Sequence, residues 1–390
     1  MKKYLLVTLL TTSLFAPITV GCRDENNSGC SDKNDTTSIV QKKQTPTTYS
    51  FYIENSGSMK GYFTGNSDLK TIVTEFYHRL DGSFIKGVTI NLNYINTGIT
   101  RCNVDIQTYL AQTQNNCTAS YTKLDEILCM AMDSLKNNQV NLVISDYCFS
   151  SNNGNFQTAQ SGIDNIFTKR LKTDKDLAVA VFKYDCDFNG KYYPGGIPCT
   201  HKLPIYIWAF GASDKVKKIS NLDIKEKSEI LIFEQTHQIE PQFEVEKARM
   251  INKSENSIKV KEWDSDRNSD QYTLKFVVDF TDIAQPQSVL CDPKNYKLST
   301  KSSSKYQILT IEQDKDNIYK FTVITDRPSP GELIISQESS LPAWVVNSNF
   351  DGTGVPPEGK TLGVKYLIDG VFDAFYRNNK NNVEIKINFK

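Results

Sequence analysis

The sequence predicts an α/β fold in which a doubly wound, mostly parallel sheet is followed by a β-rich, sandwich-like second domain. In the first half, short apolar runs alternate with segments of helical periodicity, as is typical of a parallel sheet covered by helices on both faces. In the second half, apolar and polar residues alternate with a period of two and long helices are rare. About 340 residues beyond the N-terminal region exceed what one core usually serves, which favours two domains.

The first domain, residues 48–232, begins with a buried strand at residues 48–54. Asp68 to Leu80 then has apolar residues at helical spacing, with Asp68 as its cap. Further strands are expected at residues 88–95, 140–145, 177–183 and 205–210, and further helices at residues 122–135, 161–171 and 213–219. The turn-rich segment 184–203 predicts a hairpin that projects from the sheet.

The second domain, residues 233–390, has the texture of an antiparallel β-sandwich. One helix is expected there, at residues 362–375. The strands are expected at residues 257–263, 272–280, 306–311, 318–324, 331–336 and 383–389.

The N-terminal region has the layout of an export signal. Residues 1–21 run from two lysines through a short apolar stretch, which predicts a secretory signal peptide that is removed. Gly21 before Cys22 resembles a bacterial lipobox, in which the cysteine is acylated; an ordinary signal peptide and a free secreted protein are the alternative. Residues 22–47 are polar and predict a flexible linker. The acidic and amide residues 24–27 resemble a surface-export signal, so we expect a lipid-anchored protein of the bacterial outer membrane, on the cell surface or the periplasmic face.

Charge and cysteine content constrain the partners and the compartment. Lys and Arg together number 45, and so do Asp and Glu. The chain therefore has no excess of positive charge that would favour binding to nucleic acid. Contact with the membrane is expected through the lipid anchor only. Nine cysteines in an exported chain indicate an oxidising compartment. The expected disulfides join close neighbours that bracket loops, Cys102 with Cys117 and Cys186 with Cys199; a zinc site is the alternative, although no CxxC pair supports it.

The strongest motif is Glu54-Asn-Ser56-Gly-Ser58, which stands at the carboxyl end of the first predicted strand. Open α/β sheets bind their ligands at this edge. The motif resembles the Asp-x-Ser-x-Ser signature of the von Willebrand factor A family, with Thr122 and Asp146 at the two later positions of the family's metal-ion-dependent adhesion site. The resemblance covers roughly residues 48–225. It implies a doubly wound domain that binds a protein ligand, with a divalent ion shared between the two proteins.

The resemblance also implies a role for each residue of the site. Ser56 and Ser58 would bind the ion directly, Thr122 directly or through water, and Glu54 and Asp146 would balance charge and orient waters. Mg²⁺ suits such an all-oxygen set. Glu54 replaces the family's Asp and reaches about 1.5 Å further, so Ca²⁺, Mn²⁺ or no ion are alternatives. In the purely structural interpretation, Ser-Gly-Ser is a tight turn, Thr122 a helix cap and Asp146 a loop residue.

Catalysis is not expected, because no nucleophile elbow, zinc-protease motif, phosphate loop or dinucleotide fingerprint is present. The predicted function is therefore protein binding by a cell-envelope lipoprotein, with a partner that the sequence does not identify. Two alternatives from other classes stay open. One is a metal-dependent hydrolase that uses Glu54 or Asp146 as acid or base, which paired carboxylates with perturbed pKa values would favour. The other is glycan binding, which a row of exposed Tyr or Trp on the second domain would favour.

Overall fold

The computed structural model describes residues 46–81, 87–120, 122–149, 155–193, 195–225, 228–243, 251–252, 257–258, 272–326 and 328–390. The predicted signal peptide, Cys22 and almost all of the linker lie outside these residues, as does most of the strand predicted at residues 257–263. In the described part of the chain, no helix is both long and apolar enough to cross a membrane.

The strands and helices of the described residues are numbered in chain order. The strands are β1 Thr48–Glu54, β2 Thr89–Ile95, β3 Ile99–Cys102, β4 Gln139–Ser145, β5 Leu177–Asp187, β6 Gly190–Tyr192, β7 Ile197–Cys199, β8 Lys202–Ala212, β9 Glu229–Glu234, β10 His237–Ile239, β11 Gln242–Phe243, β12 Ile251–Asn252, β13 Ser257–Ile258, β14 Tyr272–Asp279, β15 Tyr296–Thr300, β16 Tyr306–Lys315, β17 Ile318–Thr325, β18 Gly331–Glu338, β19 Asn349–Phe350, β20 Thr361–Leu362 and β21 Asn381–Phe389. The helices are α1 Asp68–Asp81, α2 Ile106–Asn116, α3 Leu124–Asp133, α4 Phe156–Thr173, α5 Ser213–Ser220, α6 Gln287–Leu290, α7 Ala343–Asn347 and α8 Val364–Tyr376, with 3₁₀ turns at Gly57–Phe63 and Pro293–Asn295.

The first half forms a seven-stranded sheet in the order β3-β2-β1-β4-β8-β5-β9. Strands β1, β2, β4 and β5 run in one direction, so the mixed α/β class and the predominance of one strand direction are confirmed. The other three strands run against them. Strand β8 lies between β4 and β5 and is antiparallel to both, because the predicted hairpin, formed by β6 and β7, returns the chain directly alongside β5.

Helices cover both faces of this sheet, as the doubly wound prediction requires. Alternate residues of β1 point to opposite sides, so Phe51 packs with the apolar residues of α1, α2 and α5, while Tyr52 packs with those of α3, α4 and α8. Trp208 on β8 is fully buried in the second of these clusters. Burial of each such large side chain contributes about 1.5–3 kcal/mol, which fixes the sheet between its two helical layers.

The second half builds two further sheets. One has the order β12-β13-β21-β18-β15, with β10 also paired to β21, and the other has the order β11-β14-β17-β16. Residues of both sheets, including Phe276, Phe321, Leu333 and Ile385, share one buried apolar cluster. The β-rich region is therefore present, with two sheets around a common core.

Helix α8 joins the second half to the first sheet. Its Leu367 and Ile368 are buried with Ile163 and Phe167 of α4. The two helices approach so closely that a Cβ at Gly370 would lie 2.5 Å from the backbone oxygen of Gln160. The predicted domain boundary at residues 232 and 233 stays a prediction, but the described residues on its two sides belong to one compact unit.

The two predicted disulfides are not formed, because no disulfide joins the cysteines of the described residues. Cys102 lies partly exposed on the edge strand β3, whereas Cys117 is buried at the end of α2. Cys186 is not bonded to Cys199, whose Sγ lies 3.5 Å from Nδ1 of His201. Closeness in sequence did not give the sulfur-to-sulfur geometry that a disulfide requires.

Candidate functional site

The five residues predicted from three separate segments meet at the carboxyl edge of the sheet. Glu54 is the last residue of β1 and Asp146 directly follows β4, and these two strands are parallel neighbours. Ser56 and Ser58 belong to the turn after β1, and Thr122 lies two residues before α3. In the sheet, β2 lies on one side of β1 and β4 lies on the other, so the strand order reverses at β1. Open α/β sheets hold their ligands at such a switch point.

One carboxylate oxygen of Glu54 organises the centre of the site. Its Oε1 accepts hydrogen bonds from the backbone N–H of Ser56 at 2.8 Å, from the Thr122 hydroxyl at 2.8 Å and from the Asn96 amide at 3.2 Å. The other oxygen, Oε2, is buried and has no hydrogen-bond partner among the described residues. Glu54 is 0% exposed, so its unbonded oxygen is shielded from bulk water.

The two serines connect Glu54 to the second carboxylate. The hydroxyl oxygens of Ser56 and Ser58 lie 2.8 Å apart, and the Ser58 hydroxyl hydrogen-bonds the carboxylate of Asp146. Asp146 is 7% exposed, and its Oδ1 also accepts from the backbone N–H of Cys148 at 3.0 Å. Two carboxylates and three hydroxyls are thus gathered in one partly closed site.

The two carboxylates repel each other in a medium that solvates neither of them well. Burial, and next to it the negative charge of Asp146, raises the pKa of Glu54. Burial likewise raises the pKa of Asp146, although its hydrogen bonds from Cys148 and Ser58 oppose the shift. Neither carboxylate forms an ion pair with a described basic residue. Among the described residues, the two carboxylates therefore have no ion-paired counter-charge.

This donor set fits a hard divalent cation. All its candidate metal ligands are side-chain oxygens, which Mg²⁺ and Ca²⁺ prefer. A cation would reduce the repulsion between the two carboxylates and would give Oε2 of Glu54 a partner. Within the described residues, no group of three or more His, Cys, Asp or Glu side chains is arranged to hold a metal ion. An ion at this edge would therefore depend on the serine and threonine hydroxyls and on water.

Sequence reasoning missed two neighbours of the site. Asn96 directly follows β2, so the same strand-end rule that selected Glu54 would have found it. Tyr147, next to Asp146, has a φ of 48°, which non-glycine residues rarely adopt, and its ring stacks on Trp208 with centroids 4.7 Å apart. No local signal predicts that conformation, which depends on the packing of the ring.

Three further aromatic residues contribute to packing. Tyr62 is buried and its hydroxyl donates to the carbonyl oxygen of Pro204, and Trp208 lies in the core. Trp344 packs partly buried against the cluster around α8. Of the large hydrophobic side chains that are exposed in the described residues, Tyr193 is the one aromatic, and it lies beside the site rather than in the second half.

Comparison with known proteins gives no further assignment. No protein-family model matches the chain, and no curated protein matches it significantly.

Proposed function

We propose that this protein is a cell-envelope lipoprotein whose α/β half, a von Willebrand factor A-like domain, binds a protein ligand at the carboxyl edge of its sheet. A divalent cation, Mg²⁺ first, is held there by Ser56 and Ser58, with Thr122 binding directly or through water. Glu54 and Asp146 balance its charge and orient its waters. An acylated Cys22 anchors the chain in the outer membrane.

One observation carries the proposal. Two neighbouring, buried carboxylates form no ion pair with a described basic residue, and Oε2 of Glu54 has no hydrogen bond within the described part of the chain. Burying like charges is unfavourable unless a counter-charge compensates them, and a divalent cation supplies that charge. Because hydroxyl ligands donate little negative charge, the bound ion would still attract an acidic side chain from a partner.

A metal-dependent hydrolase is the second candidate, because paired carboxylates with raised pKa values are common in catalytic sites. Glu54, however, is 0% exposed and already accepts three hydrogen bonds. A substrate would have to displace these contacts before Glu54 could act as its acid or base. Binding, which needs only the edge of the site, is the better supported function.

Thermal unfolding with and without metal tests the cation site. The chain from Arg23 to Lys390 is stripped of metal and then titrated with Mg²⁺, Mn²⁺ and Ca²⁺. A ligand that binds only the folded state raises the midpoint, by about 3–6 °C at roughly a hundredfold excess over Kd. Ser58→Ala should abolish the rise, whereas Glu54→Asp should preserve or strengthen it. An unchanged wild-type midpoint with every ion would remove the cation from the proposal.

A further inference from the structure

The hairpin formed by β6 and β7 is attached to the serine turn of the site. The backbone N–H of Asn189 donates to the carbonyl oxygen of Gly61 at 3.1 Å, and the rings of Tyr62 and Phe188 lie 4.8 Å apart, edge to face. A Cβ on Gly61 would come within 2.4 Å of the Phe188 ring. The turn that carries Ser56 and Ser58 and the base of the hairpin therefore pack backbone to backbone.

The same hairpin is attached to the Asp146 loop by a second, independent set of contacts. The Sγ of Cys148 lies 3.0 Å from the hydroxyl of Tyr192 and donates to the carbonyl oxygen of Tyr193 at 3.3 Å. Cys148 and Tyr192 are buried, so this contact is sheltered from solvent. Two of the three segments that form the site, the serine turn and the Asp146 loop, thus hold the hairpin beside it.

The outer surface of the hairpin is apolar and basic. Tyr193 and Ile197 are 42% and 39% exposed, which is unusual for large hydrophobic side chains. A Cβ at Gly57, between the two serines, would lie 3.9 Å from the Tyr193 ring, so this ring adjoins the serine turn itself. Lys191 on the hairpin is exposed as well.

A second lysine, Lys60, is exposed on the serine turn. Lys60 directly precedes Gly61, and Lys191 directly follows Gly190. The backbones of these two glycines touch, because a Cβ added to Gly190 would lie only 2.8 Å from the Gly61 Cα. Neither lysine forms an ion pair with an acidic residue in the part of the chain that the structure describes. Two lysines without an ion pair among the described residues and two exposed apolar side chains therefore lie on the serine turn and the hairpin packed against it.

We propose that this hairpin determines which partner binds, and that the partner is a protein segment in which an acidic side chain stands next to an aromatic or aliphatic one. The acidic group would face the cation and the two lysines, while the apolar side chain would pack on Tyr193 and Ile197. This inference rests on the proposed function, since it assigns the partner of that same edge. Charge complementarity selects the acid, and the apolar hairpin surface selects its neighbour.

Selection from a random-peptide phage library tests the inference. The library is panned against the chain from Arg23 to Lys390 in Mg²⁺, and the affinities of the enriched peptides are measured as synthetic peptides. Enriched sequences should place Asp or Glu beside an aromatic or aliphatic residue. The double variant Tyr193→Ser/Ile197→Ser should weaken their binding by about tenfold or more, because it removes the apolar contact. Lys60→Glu/Lys191→Glu should weaken it by a similar factor.

Matched variants separate the hairpin from general surface effects. Leu309, 55% exposed, and Lys315, also exposed, lie on β16 far along the chain, so Leu309→Ser and Lys315→Glu should leave the affinity unchanged. If binding is lost in Ser58→Ala or after metal removal but is unaffected by the hairpin variants, the proposed function stands and the inference is wrong. If it depends on the hairpin but not on metal, the inference stands and the cation is not required. Enrichment of no such acidic and apolar sequence would overturn the inference.

Discussion

Two glutamates of this protein are equally buried but have opposite surroundings. Glu54 and Glu234 are both 0% exposed, burial raises the pKa of both, and each has one carboxylate oxygen without a hydrogen bond among the described residues. Glu54 faces the acidic Asp146. Glu234, at the end of β9, lies near the basic Lys217, and the Nε2 of His237 is 3.6 Å from its Oε2.

Burial of an acid does not by itself make a binding site. Glu234 also accepts a hydrogen bond from the backbone N–H of Ala284 at 2.7 Å, so it connects the first sheet to the second half of the chain. The positive charge of Lys217 lies near Glu234 and opposes the rise of its pKa, whereas neither Glu54 nor Asp146 forms an ion pair with a basic residue in the described part of the chain. A buried acid with an internal counter-charge can be compensated within the protein, and a buried pair without an ion-paired counter-charge is suited to an external cation.

The largest expected effect is the pH dependence that Glu234 gives to stability. Its pKa is raised from 4.5 to about 7 in the folded protein, so the folded state holds this proton more tightly than the unfolded state. The resulting stabilisation is complete below pH 4.5, falls as the pH rises toward 7 and is gone above it, a change of about 3 kcal/mol. Glu234→Gln should remove that part of the dependence in urea unfolding measured from pH 4.5 to 8.5. Parallel curves for the two proteins would contradict the assignment.

The next largest effect concerns the hydrogen bonds of Glu54. Glu54→Ala leaves three donors without their acceptor, namely the Ser56 N–H, the Thr122 hydroxyl and the Asn96 amide. We expect a loss of about 2–3 kcal/mol in the free energy of unfolding. Glu54→Gln retains an acceptor oxygen and removes the repulsion from Asp146, so its loss should be clearly smaller. Urea unfolding without metal makes the comparison, and equal losses would mean that these bonds contribute little.

The response to Mg²⁺ should distinguish the two glutamates directly. At about thirtyfold excess over Kd, the ion should stabilise the wild type by about 2 kcal/mol. Glu234→Gln should retain this response, because Glu234 ends β9 at the far edge of the sheet and is not a residue of the proposed cation site. Glu54→Gln should lose most of it, because one of the two charges that hold the ion is gone. A response lost in both variants would show that the two sites are not independent.

The smallest effect is expected where opposite charges meet in water. Lys297 pairs with Glu338 across β15 and β18, and the two side chains are 68% and 38% exposed. Because solvent screens such pairs, Lys297→Ala should change the free energy of unfolding by less than about 0.5 kcal/mol. A larger loss in urea unfolding at moderate salt would show that screening is weaker at this surface than in most proteins.

Local periodicity predicted most of the first sheet, and the family resemblance grouped the residues of the site. Strands β1, β2 and β4 have residue ranges within one position of their predictions, and the residues that the resemblance named, Glu54, Ser56, Ser58, Thr122 and Asp146, lie together. The insertion of β8 between β4 and β5 was not predicted, because strand order depends on long-range pairing. Strand β3 was missed because it is short and buries none of its side chains fully, whereas α2 was missed although it buries Ile106, Tyr109 and Leu110.

The packing of the second half against the first was also not predicted from the sequence. The helix at residues 362–375 was predicted, but its periodicity gives only the presence of an apolar face and not its partner. The burial of Leu367 and Ile368 with Phe167, and the close fit of Gly370 against α4, show that this face covers the first sheet. The disulfide prediction failed for a related reason, since spacing along the chain does not place two sulfur atoms together.

Because α8 packs on α4, the helices that cover the first sheet are not contiguous in sequence: α8 stands between β18 and β21, two neighbouring strands of the β-rich half. During synthesis, Phe167 and Phe233 on one face of the first sheet stay incompletely covered until α8 has been made. The nascent chain would therefore expose an apolar surface while most of the β-rich half is synthesised, and chaperones that shield such surfaces would have a defined place to act.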